Sequence, residues 1–275
     1  MSPRKGGSVL PRSEWAISGA GTLGSLEVGA VTALWPHTRP SVLVGTSAGS
    51  IVAGLLSLGH DPLSLRGIVM SADYARLIPM RPWLAPFRGY LASNRNVTAW
   101  LREITENQTM ADCQIPFTAI CSDLNTGKAR TWDSWAVPDM LVWKAILCGM
   151  SIPGVYPAYE GRYQDGGMCD NLGINCLPGK HKRLGLKVTE HTTIGPVTGL
   201  IDQAQRDISM MLSASEQDMV LLAKASGIPI VRLPAGNLGF LDTSMTRAQK
   251  ISLYQRGRDA VTKFLESSQG KRWMA

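Results

Sequence analysis

A chain of 275 residues, 44% hydrophobic and 18% charged, can bury a sizeable core, which excludes a disordered protein. Its 28 glycines and 16 prolines exclude a fibrous or low-complexity composition. The net charge of +7 favours contact with phosphates, of nucleic acid or of lipid, and says nothing about fold. The cysteines (Cys113, Cys121, Cys148, Cys169, Cys176) are odd in number and form no C-x-x-C pair or His/Cys cluster, so a reducing compartment and no metal site are expected. Met1 to Arg12 is polar and basic, with no apolar stretch of signal-peptide length after it, and no run spans a bilayer. The expectation is a cytoplasmic protein, peripherally associated with membrane, with export by a route lacking a signal peptide left open.

Along the chain, Trp15-Ala16-Ile17 reads as a strand entering a glycine-rich turn at Gly19, Gly21 and Gly24, and a helical pattern follows through Leu34. Ser41 to Val44 is a second strand, and Ile51, Val52, Leu55 and Leu56 have the spacing of a core-facing helix. Asp61-Pro62 opens a helix through about Met70. Ile78 to Leu91, with three prolines, reads as a loop or broken helix. Val97 to Ile104 looks helical. Phe117 to Cys121 and Lys128 to Trp132 form a hairpin around Asn125-Thr126-Gly127. Pro138 is expected to open a helix through Leu147. Leu184 to Val188 and Ile228 to Leu233 are strands flanking a helix from about Leu200 to Ser226, and a last helix covers about Met245 to Ser267. Strands alternating with helices predict an α/β fold, with a mainly parallel central sheet and helices on both faces. One domain is expected over 1–275, its core about 13–268, between short basic N-terminal and C-terminal tails.

Gly45-Thr46-Ser47-Ala48-Gly49 fits G-x-S-x-G between an apolar strand and a helix, where the glycines permit a tight turn that lifts the serine hydroxyl clear of the sheet. The loop Gly19 to Gly24 offers N–H donors to an oxyanion at a second helix start. A dinucleotide site is disfavoured, because His37, Thr38 and Arg39 stand where an acidic residue is needed. The base is open on this reading: His181 and His191 lie in or after a basic, solvated stretch, and Asp165 in Gln164-Asp165-Gly166-Gly167 sits at a glycine turn.

Together these segments resemble the patatin-like phospholipases, serine lipid acyl hydrolases with a Ser-Asp dyad and a three-layer α/β/α fold. The glycine-rich segment is similar to Gly19–Gly24, and the nucleophile elbow to Gly45–Gly49. The family's T-D-L-N-T-G is echoed at Ser122–Gly127, its S-x-I-P-G-x-F-P stretch at Met150–Pro157, and its D-G-G/A motif at Asp165-Gly166-Gly167. The resemblance implies Ser47 as nucleophile and Asp165 as general base. It also implies an oxyanion hole around Gly19, Ala20 and Gly21, no cofactor and no metal. Ala20 stands where the family usually has Gly, and Leu23 where it usually has Lys or Arg.

The implied activity is hydrolysis of glycerophospholipid carboxylic esters, of phospholipase A or lysophospholipase type, through an acyl-enzyme. The alternatives are an α/β-hydrolase with a Ser-His-Asp triad using His181 or His191, and a non-catalytic lipid-binding scaffold. The expected partner is a phospholipid or other acyl lipid at a membrane surface. Ile78–Leu91 mixes Trp83, Phe87 and Tyr90 with Arg81 and Arg88, which fits either an interfacial segment or a core-covering lid or loop with no membrane role. Lys180, Lys182, Arg183 and the C-terminal Lys271-Arg272-Trp273 read first as solvated surface, with headgroup contact as the alternative. Met210, Met211 and Met219 read as core or as a soft acyl-facing wall. Nucleic acid is not expected, since the basic residues are scattered. A homo-oligomer or an activating partner is left open.

Overall fold

The computed structural model describes residues 10–190 and 196–275. The strands are β1 (Arg12–Ile17), β2 (Arg39–Thr46), β3 (Phe117–Asp123), β4 (Lys128–Asp133), β5 (Tyr163–Asp165), β6 (Lys182–Glu190) and β7 (Ile230–Gly236). The helices are α1 (Gly24–Leu34), α2 (Ala48–Ser57), α3 (Pro62–Ser71), α4 (Tyr74–Leu77), α5 (Ala85–Arg88), α6 (Arg95–Ile104), α7 (Val142–Gly149), α8 (Leu200–Ala225), α9 (Arg247–Glu266) and α10 (Ser268–Met274). Asp61 caps α3 by accepting the Ser64 N–H at 2.7 Å.

The sheet order is β4-β3-β2-β1-β6-β7. Strands β3, β2, β1, β6 and β7 run parallel, and β4 and β5 pair antiparallel with β3. Alternation along each strand sorts side chains onto two faces. Trp15, Ile17, Leu43, Phe117 and Leu186 join the large core beneath α1, α2, α7 and α9, whereas Ala16, Val44 and Ile120 meet Leu172, Ile174 and Ala223 of α8 on the other. This is the mixed, mostly parallel sheet with helices around it that the sequence predicts.

One register detail positions the site. Strand β2 pairs with β3 as far as Thr46 opposite Ile120. From the next residue, Cys121 pairs with Asp165, so β5 takes over the β3 edge where β2 turns away. The last residue of β5 is thereby set beside the turn that ends β2.

Three expectations change. The Pro138 helix begins instead at Val142, because residues before it pair with another segment: Ala111 N–H donates to Pro138 O at 2.9 Å and Met110 N–H to Met140 O at 2.8 Å. The expected C-terminal tail is helix α10, whose Trp273 is buried against Phe264 and donates to Arg183 O at 2.9 Å. Asp165 lies at the end of a three-residue strand rather than in a free turn. The N-terminal basic tail through Val9 lies outside the described residues. Among the described residues, no helix is long and apolar enough to cross a membrane.

Candidate active site

Because β2 ends at Thr46 and α2 begins at Ala48, Ser47 makes the whole turn alone, at φ 51 and ψ −126. A non-glycine residue held there stores roughly 1–3 kcal/mol and persists only where its surroundings impose it. Gly45 closes the β2 ladder opposite Ile17. A β-carbon at Gly49 would collide with the carbonyl oxygens of Ile17 and Ser18, so glycine there lets the helix start press against the end of β1. The Ser47 hydroxyl donates to Asp165 Oδ2 at 2.6 Å, across 118 positions of sequence.

Asp165 is held on every side. Its Oδ1 accepts the Gly167 N–H at 2.8 Å, its own N–H donates to Ser151 O at 3.0 Å, and its carbonyl accepts from Ser122 Oγ at 2.8 Å. The motif segments at Ser122–Gly127 and Met150–Pro157 thus act on Asp165 through its backbone. Gly166 starts the turn leaving Asp165, its N-terminal residue after β5. Arg162 grips Asp123 through Nε and Nη2 at 2.9 and 2.7 Å, holding its carboxyl down to about 2 and tying the start of β5 to the end of β3. Asp165 is only 3% exposed. Burial pushes it up to about 6, against the opposing pull of the Ser47 and Gly167 hydrogen bonds. It is therefore an ionised acceptor at neutral pH, near the value that suits a general base.

The glycine loop is built differently from expectation at one residue. The Gly19 N–H is already engaged, donating to Asn171 at 3.2 Å (main-chain O) and 3.1 Å (Oδ1). Ala20 fits without strain at φ −140, and the left-handed conformation falls on Gly21, at φ 54. Among the described residues, the N–H groups of Ala20, Gly21 and Ala48 have no acceptor. They stand at helix starts beside Ser47, where an anion is favoured. Leu23 is fully buried in the main core, so the position that carries a cation elsewhere is apolar here.

A narrow apolar cleft leads away from Ser47 between Ile51, Val69, Tyr74, Trp100, Met150 and Ile152. On the Asp165 side, Ile208, Met211 and Leu212 of α8 close over the site with Phe240. The methionines of α8 divide: Met211 faces the site, Met219 packs in the second core, and Met210 is exposed.

Helix α8 also holds the site through polar contacts that sequence reasoning missed. Ser215 Oγ donates to Gly167 O at 2.6 Å, and Asn171 Nδ2 donates to Glu216 Oε1 at 2.5 Å. Glu216 is itself paired with Lys187 of β6. A buried carboxylate chain from β6 through α8 to the glycine loop thus results. Its sequence signal was slight: one glutamate, flanked by serine, within a helix of mixed polarity.

The described histidines, His37, His60 and His181, do not reach this site. His181 is exposed just before β6, and His37 and His60 follow the C-terminal ends of α1 and α2, all towards the opposite ends of the strands from Ser47. His191 lies outside the described residues. Among the described residues no three His, Cys, Asp or Glu side chains gather as metal ligands.

The model of the patatin-like phospholipase family matches residues 16–176. An NTE family protein of Mycobacterium tuberculosis is 28% identical over 193 residues, covering 66% of this chain and 50% of the relative. Triacylglycerol lipase 4 of Saccharomyces cerevisiae is 24% identical over 170 residues, covering 54% of this chain and 18% of that protein. The chain therefore spans half the length of the mycobacterial relative and less of the yeast one. Among solved structures, VipD from Legionella pneumophila shares the fold at TM-score 0.60 and 13% identity, covering 93% of this chain and 66% of that one. ExoU from the type III secretion system of Pseudomonas aeruginosa does so at TM-score 0.51 and 16% identity, covering 98% and 54%.

Proposed function

Because the chain belongs to the patatin-like phospholipase family, a family of lipid hydrolases, we propose that it cleaves carboxylic esters of glycerophospholipids through Ser47 and Asp165. The observation that carries this reading is the 2.6 Å hydrogen bond from Ser47 Oγ to Asp165 Oδ2 on a serine held at φ 51.

The acyl carbonyl carbon sits against Ser47 Oγ with its chain in the apolar cleft. As Oγ attacks, its proton passes to Asp165 Oδ2, and the carbonyl oxygen becomes an oxyanion facing the N–H groups of Ala20, Gly21 and Ala48. Collapse of this adduct breaks the ester bond, and Asp165 returns the proton to the departing lysolipid alkoxide. Water then enters, gives a proton to Asp165 and attacks the acyl-Ser47 carbonyl. Collapse of the second adduct releases the fatty acid and restores the Ser47 hydroxyl with that proton. Gly167 orients the carboxylate through Oδ1 and leaves Oδ2 for the proton.

The test is fatty-acid release from mixed phospholipid vesicles by the wild-type protein, Ser47→Ala and Asp165→Asn. Release by wild type, with both variants folded and at background, supports the reading. No release from any ester, or full activity in Asp165→Asn, overturns it.

A further inference from the structure

Between Asp73 and Glu103 the chain carries no acidic residue and no lysine, but has arginines at positions 76, 81, 88, 95 and 102. Arg81, Arg88 and Arg95 are exposed and line one open cavity of about 490 Å³, together with Tyr90, Ser93 and Asn96. Among the described residues, none of these three guanidinium groups has an ion pair, side-chain hydrogen bond or ring contact. Like charges gathered without a counter-charge raise the energy of the folded state. Their convergence is explained if an anion completes the cavity, and the planar guanidinium fork matches phosphate oxygens in pairs.

The surroundings indicate what carries that anion. Trp83 and Phe87, on the short turns between these arginines, are 68% and 87% exposed. The segment is tied to the stretch that follows the site-lining Ile152 and Pro153, with Arg81 N–H donating to Leu91 O at 2.7 Å, Leu91 N–H to Gly154 O at 2.8 Å and Ala92 N–H to Val155 O at 2.8 Å. On either side of it, Tyr74, Ile78, Val97 and Trp100 line the apolar cleft that leads to Ser47. Unpaired cations, bare aromatic rings and the cleft entrance therefore share one rim.

We propose that this rim docks on an anionic lipid surface, with the Arg81–Arg88–Arg95 cavity holding a headgroup phosphate while Trp83 and Phe87 enter the interface. This deepens the hydrolase reading by naming the surface on which substrate is met. It rests on that reading for its biological sense, but binding is measured without turnover, so the two fail separately.

The experiment uses Ser47→Ala protein, co-sedimented with vesicles of phosphatidylcholine alone and of phosphatidylcholine mixed with phosphatidylglycerol. Binding is expected to be stronger on the mixed vesicles and to fall with salt. Arg81→Gln with Arg88→Gln and Arg95→Gln should lower partitioning to them by about fivefold per residue, on the order of 100-fold together. The triple lysine variant, which keeps the charge and loses the paired donors, should bind between the parent and the glutamine triple. Trp83→Ala with Phe87→Ala should weaken binding to both vesicle types. Lys182→Gln with Arg183→Gln and Arg272→Gln, around the start of β6 and α10, should bind like the parent, and circular dichroism checks that each variant folds. Equal binding to both vesicles, parental binding by the arginine-to-glutamine triple or the aromatic double variant, or loss in the Lys182/Arg183/Arg272 variant overturns the proposal. Full displacement by inorganic phosphate at constant ionic strength also overturns it, in favour of a pocket for a free anion.

Discussion

Replacing Asp165 by asparagine should make the protein more stable and inactive, and the two effects should have the same pH origin. Burial lifts the Asp165 carboxyl to about 6, whereas an aspartate in the unfolded chain titrates near 3.9. The folded state therefore holds this proton more tightly. The stability it contributes is complete below about 4 and is lost as pH rises through about 6. A gap of about two pH units, at about 1.4 kcal/mol each, amounts to roughly 3 kcal/mol at pH 8. Asparagine keeps the shape, the acceptor for the Gly167 N–H and a partner for Ser47, without the ionisation. Thermal melts at pH 8 should place Asp165→Asn several degrees above wild type, with the difference closing towards pH 4. For wild type, kcat/KM on a soluble short-chain ester should rise along an acid limb centred near pH 6 as Asp165 ionises, while the variant stays at background throughout. A variant less stable than wild type at pH 8, or a wild-type acid limb nowhere near 6, would refute the assignment of burial as the dominant influence on this carboxylate.

Ser47→Gly should abolish ester hydrolysis yet stabilise the protein by roughly 1 kcal/mol, because glycine adopts φ 51 without strain; a denaturant titration showing clear destabilisation would contradict the strained elbow. Glu216→Ala strands the partly buried Lys187 charge and frees Asn171 beside Gly19. It should cost roughly 3 kcal/mol and lower kcat/KM, whereas Glu216→Gln, which keeps an acceptor for Asn171, should retain more activity; equal damage in both would remove the positioning role from Asn171. Glu27 is buried in α1 with no hydrogen-bond partner among the described residues, and burial raises its carboxyl well above the usual range. Its stabilising proton is fully held below about 4.3 and lost as pH rises through the folded value. Glu27→Gln should therefore melt higher than wild type at neutral pH, with the curves converging in acid, and parallel melting curves across pH would rule this out.

The parts of this protein written in local sequence are those set by short-range physics. Periodicity marked β1, β2, β3, β4, β6 and α8, since alternation and helical spacing are properties of neighbouring residues. The elbow around Ser47 was equally legible, because a strand-to-helix turn in that geometry requires glycines at fixed positions. Local signals failed where distant backbone competed for the same atoms. Pro138 carries a helix-start signal, yet Ala111 and Met110 take the carbonyls around it and delay α7 to Val142. The partner of the Ser47 hydroxyl could not be chosen from residue types alone, because a turn aspartate and a basic-stretch histidine look alike until strand order is known. The register that lets β5 succeed β2 along β3 brings Asp165 to Ser47, while His181 stays at the opposite end of the strands. Burial then raises the carboxyl, and desolvation depends on the whole packed chain rather than on any window of it. For the same reason, Gly19 could not be seen in sequence to spend its N–H on Asn171, 152 positions away, nor α8 to carry the glutamate that holds that asparagine.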